Sequence, residues 1–111
     1  MRLLLEDLPK VSLNLFYAGC HWTKRNKLKD QYTWIIKSQF KGKLSREKKY
    51  TCKYMFQFKN NPLDASNCIA MVKMIEDCLF ENDKYDIVLE ISVSSRKGKK
   101  ELVDIIITEV D

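Results

Sequence analysis

From Tyr50 to Phe58 the chain alternates without a break, with Tyr50, Cys52, Tyr54, Phe56 and Phe58 on one side and Thr51, Lys53, Met55 and Gln57 on the other. Successive side chains of a strand point to opposite faces, so this period of two predicts a β-strand with one buried face. Such a strand needs neighbours and a covering layer. With 111 residues the chain has material for one domain, 1–111, and its 45% of hydrophobic residues can fill an interior despite 32% charged residues.

The other segments supply the remaining elements. Val11, Leu13, Leu15 and Tyr17 alternate with Ser12, Asn14 and Phe16, which predicts a first strand. From Thr23, a candidate N-cap, the period becomes helical through Leu28, Tyr32, Ile35, Ile36 and Phe40. Residues 41–49 are polar and basic around Gly42 and predict a loop. Ser66 can cap a second helix whose apolar face carries Cys68, Met71, Val72, Ile75, Cys78 and Leu79, with Lys73, Glu76 and Asp77 on its polar side. Strands follow at Tyr85–Val93 and Leu102–Val110, joined through Arg96-Lys97-Gly98-Lys99-Lys100 as a hairpin. The expected architecture is α+β, a mixed or antiparallel sheet of about four strands with two helices and a C-terminal β-hairpin.

The net charge of +5 is unevenly spread. Residues 1–60 hold 14 Lys or Arg against 4 Asp or Glu, whereas residues 61–111 hold 6 against 11. A basic half beside an acidic half suits a metal-dependent enzyme acting on a polyanion, since cations attract phosphate and carboxylates hold metal; an ordinary solvated surface is the plain alternative. Lys24, Arg25, Lys27 and Lys29 crowd the start of the first helix, where positive charge opposes the helix dipole, so they point to a ligand. Leu3-Leu4-Leu5 is too short for a signal peptide core, and no run approaches the roughly 18 apolar residues of a membrane helix, so a cytoplasmic protein without membrane contact is expected. Cys20, Cys52, Cys68 and Cys78 form no Cys-x-x-Cys pair and are expected as reduced, mostly buried thiols. His21 is the single histidine and lacks the companions of a zinc site.

The acids that can carry chemistry are Asp64 before the second helix, Glu76 and Asp77 on it, and Asp83 after it. Magnesium commonly takes one or two carboxylates and completes its octahedron with water and substrate phosphate. Asp77 follows Lys73 by one helical turn, so a carboxylate and a cation point the same way; the plain alternative is a surface ion pair.

Leu63-Asp64-Ala65-Ser66-Asn67, then Lys73, Asp77-Cys78-Leu79, Asn82-Asp83 and the closing Ile107-Thr108-Glu109 resemble the RusA family of Holliday junction resolvases, with an N-terminal echo in Leu8-Pro9, Ser12-Leu13-Asn14 and Tyr17. The family pattern is roughly Asp-x-Asp-Asn before a helix, a helical Lys, Asp-Ala-Leu and Asp-Asp. The chain departs from it at Ser66, which stands at the second aspartate, at Asn82, which replaces one of the paired acids, and in the spacings on either side of Asp77. The resemblance implies a homodimeric, magnesium-dependent endonuclease of bacterial or phage origin, with manganese able to substitute, cutting four-way DNA junctions by paired nicks. It casts Asp64 and Asp83 as metal ligands and Lys73 as the lysine at the scissile phosphate; from their proximity on the second helix, Asp77 or Glu76 is expected to stand in for the missing acid. Lys24, Arg25, Lys27, Lys29, Arg46, Lys48 and Lys49, with Arg96, Lys97, Lys99 and Lys100, are then expected to hold DNA arms through their phosphates. A catalytically silent homologue that binds branched or single-stranded DNA is the alternative, and a protein that pairs a partner along an exposed edge of Tyr50–Phe58 is a third reading.

Overall fold

The structure, a computed structural model, describes residues 1–14, 16 and 22–111. Strand β1 (Arg2–Glu6) is followed by helix α1 (Trp22–Lys37), β2 (Lys49–Phe58), a 3-10 turn (Ala65–Cys68), α2 (Ile69–Leu79), β3 (Val88–Lys97) and β4 (Leu102–Val110). The four strands make one mixed sheet in the order β1-β4-β2-β3. The predicted α+β class therefore holds, with the two long helices α1 and α2 and four strands among the described residues.

Both edges of β2 are occupied. It runs parallel to β3 and antiparallel to β4, with Tyr54 opposite Val93 on one side and Ile105 on the other. The edge pairing considered for Tyr50–Phe58 is thereby excluded. Parallel neighbours require a crossover, which the 3-10 turn and α2 provide. Strands β3 and β4 form a hairpin-like arrangement whose arms straddle β2, and the connection is tied to the end of β2 by the Gly98 amide donating to the Phe58 carbonyl at 2.9 Å.

The predicted first strand is displaced. Leu13 and Asn14 are helical, and the Phe16 amide donates to the Ser12 carbonyl at 2.9 Å, while Leu15 and Tyr17 lie outside the described residues. The first strand is instead Arg2–Glu6, which buries Leu3 and Leu5 and pairs antiparallel with β4 from Arg2 opposite Ile106 to Glu6 opposite Leu102. Arg2 closes its outer face by donating from Nε to Oδ1 of Asp104 at 2.9 Å. That bond holds the Asp104 carboxyl below its ordinary range and raises the Arg2 guanidinium. Strand β3 begins at Val88, three residues later than expected, because residues 85–87 form a turn, whereas β4 matches its expected span. Helix α1 already includes Trp22, so Thr23 stands inside its first turn; Ser66 likewise lies within the 3-10 turn, where the Asp64 carbonyl accepts from Asn67 and Cys68.

Both helices cover the aromatic face of the sheet. Tyr32 and Ile36 of α1 and Met71, Met74, Ile75 and Leu79 of α2 close over Tyr54, Phe56 and Ile105. The Tyr32 hydroxyl donates to the Pro9 carbonyl and so anchors the segment after β1 to α1. Cys52, Cys68 and Cys78 are free and buried, and burial pushes the Cys52 and Cys68 thiols up to about 11, which keeps them protonated and unreactive. Cys20 and His21 lie outside the described residues. Among the described residues, no helix is long and apolar enough to cross a membrane.

A Cβ at Gly98 would collide with the Gln57 side chain. Gln57 cannot simply move aside, because its Oε1 accepts from Arg96 Nε and its Nε2 donates to the Lys100 carbonyl, each at 3.0 Å. Gly98→Ala is therefore expected to destabilise the protein by about 1 kcal/mol, lowering Tm by roughly 4–8 °C. The same change in a Gln57→Ala background should cost much less, as read by thermal unfolding of the four proteins; equal costs in both backgrounds would place the strain elsewhere.

Candidate active site

Helix α2 turns its apolar side to the sheet, which leaves Lys73 and Asp77, one turn apart, exposed on its outer side. Helix α1 packs beside it, with Thr33 Oγ1 and Cys78 Sγ 3.5 Å apart. Between the helices opens a cleft lined by Phe16, Lys29, Lys73, Met74, Asp77 and Asp83. Three of the four residues expected to act on substrate thus share one concavity, joined by Lys29 from the basic start of α1. Arg25, one turn before Lys29, lies over the Phe16 ring with its guanidinium carbon 5.8 Å from the ring centroid.

The basic loop is tied to the C-terminal end of α2. Leu44 donates to the Leu79 carbonyl at 2.7 Å and accepts from Glu81 at 3.1 Å. The Lys43 ammonium donates to the Asp77 carbonyl at 3.1 Å, and the Arg46 amide donates to Glu81 Oε2 at 3.1 Å. Tyr50 and Phe80 support the junction from below, with ring centroids 5.3 Å apart. Arg46, Lys48 and Lys49 are exposed there, Lys48 pairing with Glu109 at 3.2 Å, and Lys24 and Lys27 are exposed on α1.

Glu76 differs from its expected place on the polar side of α2. It is 9% exposed, and the Tyr54 hydroxyl donates to its Oε1 at 3.4 Å. Burial, reinforced by the charge and a hydrogen bond of Asp83, pushes its carboxyl up to about 7. The signal was present in the sequence, since Glu76 follows Val72 by one turn and borders the apolar stripe, but the polarity of the residue argued the other way.

Asp64 stands apart from this group. It precedes the 3-10 turn at the start of the α2 segment, and at 1.5–2 Å per residue it lies roughly 20 Å along the segment from Asp77. The neighbouring Leu63 carbonyl accepts from Ser95 Oγ, which fixes this end near the β3–β4 connection. Arg96, Lys97, Lys99 and Lys100 are therefore exposed at the end of the sheet opposite the basic loop. Sequence order had suggested one joint set, but the length of α2 separates it. Among the described residues, no three His, Cys, Asp or Glu side chains are grouped closely enough to hold a metal ion, so the set Asp64, Asp77 and Asp83 is not assembled within one chain. Asp77 and Asp83 alone fit the mode in which magnesium takes two carboxylates and fills its remaining positions with water and phosphate.

No family model matches the chain, and no curated protein matches it significantly.

A carboxyl raised from 4.5 to about 7 binds a proton in the folded state that the unfolded state has released. Its contribution to stability is therefore complete below about pH 4.5 and is lost as pH rises to 7. Glu76→Gln imitates the protonated form. In EDTA it is expected to match the parent's Tm near pH 4.5 and to exceed it at pH 8 by the equivalent of roughly 1–3 kcal/mol. Melts that show no pH-dependent difference would mean that Glu76 ionises as a solvated acid.

Proposed function

We propose that this protein is a magnesium-dependent, structure-selective endonuclease that cuts branched DNA, working from the cleft between α1 and α2. The observation that carries the reading is the convergence of Lys73, Asp77 and Asp83, with Lys29 facing them, in one open concavity beside a basic loop. Paired carboxylates and cations there match what phosphodiester hydrolysis requires, and the resemblance of residues 63–83 to the RusA resolvases supplies the substrate class.

Asp77 and Asp83 would hold the magnesium ion. When bound, it supplies an activated water and stabilises negative charge on the phosphodiester. Lys73 and Lys29 place positive charge where the phosphate oxygens gain charge in the transition state. Glu76 braces Asp83 from beneath while Tyr54 fixes its orientation. Arg46, Lys48, Lys49 and Lys24 hold the backbone of the incoming arm, and Arg96, Lys97, Lys99 and Lys100 engage a second arm at the far end of the sheet. Two opposed nicks need two sites, so a two-fold homodimer is the working form.

A second reading, a junction-binding protein without nuclease activity, is favoured by the position of Asp64 and by Ser66 in place of an acid. One experiment separates them: an immobile four-way junction and a matched linear duplex are incubated with the protein in Mg²⁺, Mn²⁺ or EDTA. Paired nicks near the branch point are expected with either metal, lost in EDTA and reduced at least about a hundredfold by Asp77→Asn, Asp83→Asn or Lys73→Ala. Asp64→Asn should retain most of the cutting; if it alone abolishes cutting, the centre lies at the start of the α2 segment. Tight junction binding without nicks under any condition would establish the second reading.

A further inference from the structure

On the side of α1 turned away from the cleft, Trp34 is 81% exposed. It sits over a shallow depression bordered by Asp30, Thr33, Lys37 and Ser38. The hydroxyls of Thr33 and Ser38 are turned back onto the helix, donating to the carbonyls of Lys29 at 2.9 Å and Ile35 at 2.6 Å. The indole is therefore the dominant apolar surface of that face. The next exposed aromatic of α1, Trp22, lies about 18 Å along the axis and about 120° around it, so among the described residues of this helix the apolar patch is a single ring wide. A protein interface needs a broader apolar centre than one ring. Lys37, in the next turn, and Lys27, two turns earlier and about 20° away, flank the ring with positive charge. The helix carries five basic residues against the single acid Asp30.

We propose that Trp34 is a stacking platform for an unpaired base of single-stranded or branched DNA, with Lys27 and Lys37 holding the phosphates on either side. A flat π-surface between two cations matches a nucleotide strand, in which flat bases alternate with anionic phosphates, and stacking tolerates any base. The platform lies outside the cleft, so it recognises the strand without taking part in hydrolysis. The proposal rests on the reading of the protein as DNA-binding, but not on its being a nuclease.

The test is made in EDTA, so that cutting plays no part. Trp22→Phe leaves Trp34 as the only tryptophan, and its emission is followed while a short oligothymidylate or a blunt duplex is added. Saturable quenching by the oligothymidylate is expected. Trp34→Ala should weaken oligothymidylate binding about tenfold, Trp34→Phe should weaken it less, and duplex binding should stay unchanged. Oligothymidylate bound with unchanged emission, and equally well by Trp34→Ala, would overturn the stacking role and leave the DNA reading intact. No binding of either DNA by the parent would overturn both. Trp34→Ala protein that binds DNA normally but has lost a self-association seen by sedimentation would assign the ring to a protein contact and overturn the proposal.

Discussion

The aromatic face of β2 is the constraint around which the molecule is arranged. Tyr50, Tyr54, Phe56 and Phe58 present a strip of rings that water would solvate poorly, and at about 25 cal/mol per Å² their burial is a large favourable term. Helix α2 covers the strip by running back along it, with Glu76 over Tyr54 and Phe80 over Tyr50. That path brings the chain to the point where β3 begins and fixes the parallel pairing of β3 with β2. It also sets the outer face of α2 beside α1, and the cleft is the gap between them.

The same burial creates the unusual electrostatics of the cleft. A helix wide enough to cover the rings carries Glu76 under its own edge, where the carboxyl has one hydroxyl donor and a neighbouring acid. Ionising it there is costly because the low-dielectric surroundings replace water with few compensating bonds. Lys29, Lys73 and the Lys43 ammonium at the Asp77 carbonyl surround this acidic floor with positive charge. The uneven charge along the chain is thereby resolved in space. Basic residues from the first half and acids from the second meet at one opening, while the connection carrying Arg96 to Lys100 stays at the far end.

Much of the local structure was legible in the residues. The alternation of Tyr50–Phe58, and the helical spacing of Tyr32 and Ile36 or of Val72, Ile75 and Leu79, each mark which side is buried, because the period is a property of the backbone itself. Lys73 and Asp77 were legible as neighbours for the same reason. Arg2–Glu6 was harder to see, since five residues offer a weak pattern, and its strand character comes from pairing with β4 about a hundred residues away. Val11–Tyr17 carried a pattern of two that the structure does not use at Leu13, Asn14 and Phe16.

Sequence alone determined the class of the fold, the inward sides of β2 and of the two helices, and where the charged residues lie along the chain, because these depend on backbone period and composition, whereas Leu89 and Ile91 of the alternating β3 remain exposed. Tertiary structure alone decided that β2 is central with no free edge, that Glu76 is buried, and that Lys29 joins Lys73, Asp77 and Asp83 while Asp64 does not. Those outcomes depend on which distant segments pack together, and periodicity records how a residue is oriented without recording what it faces.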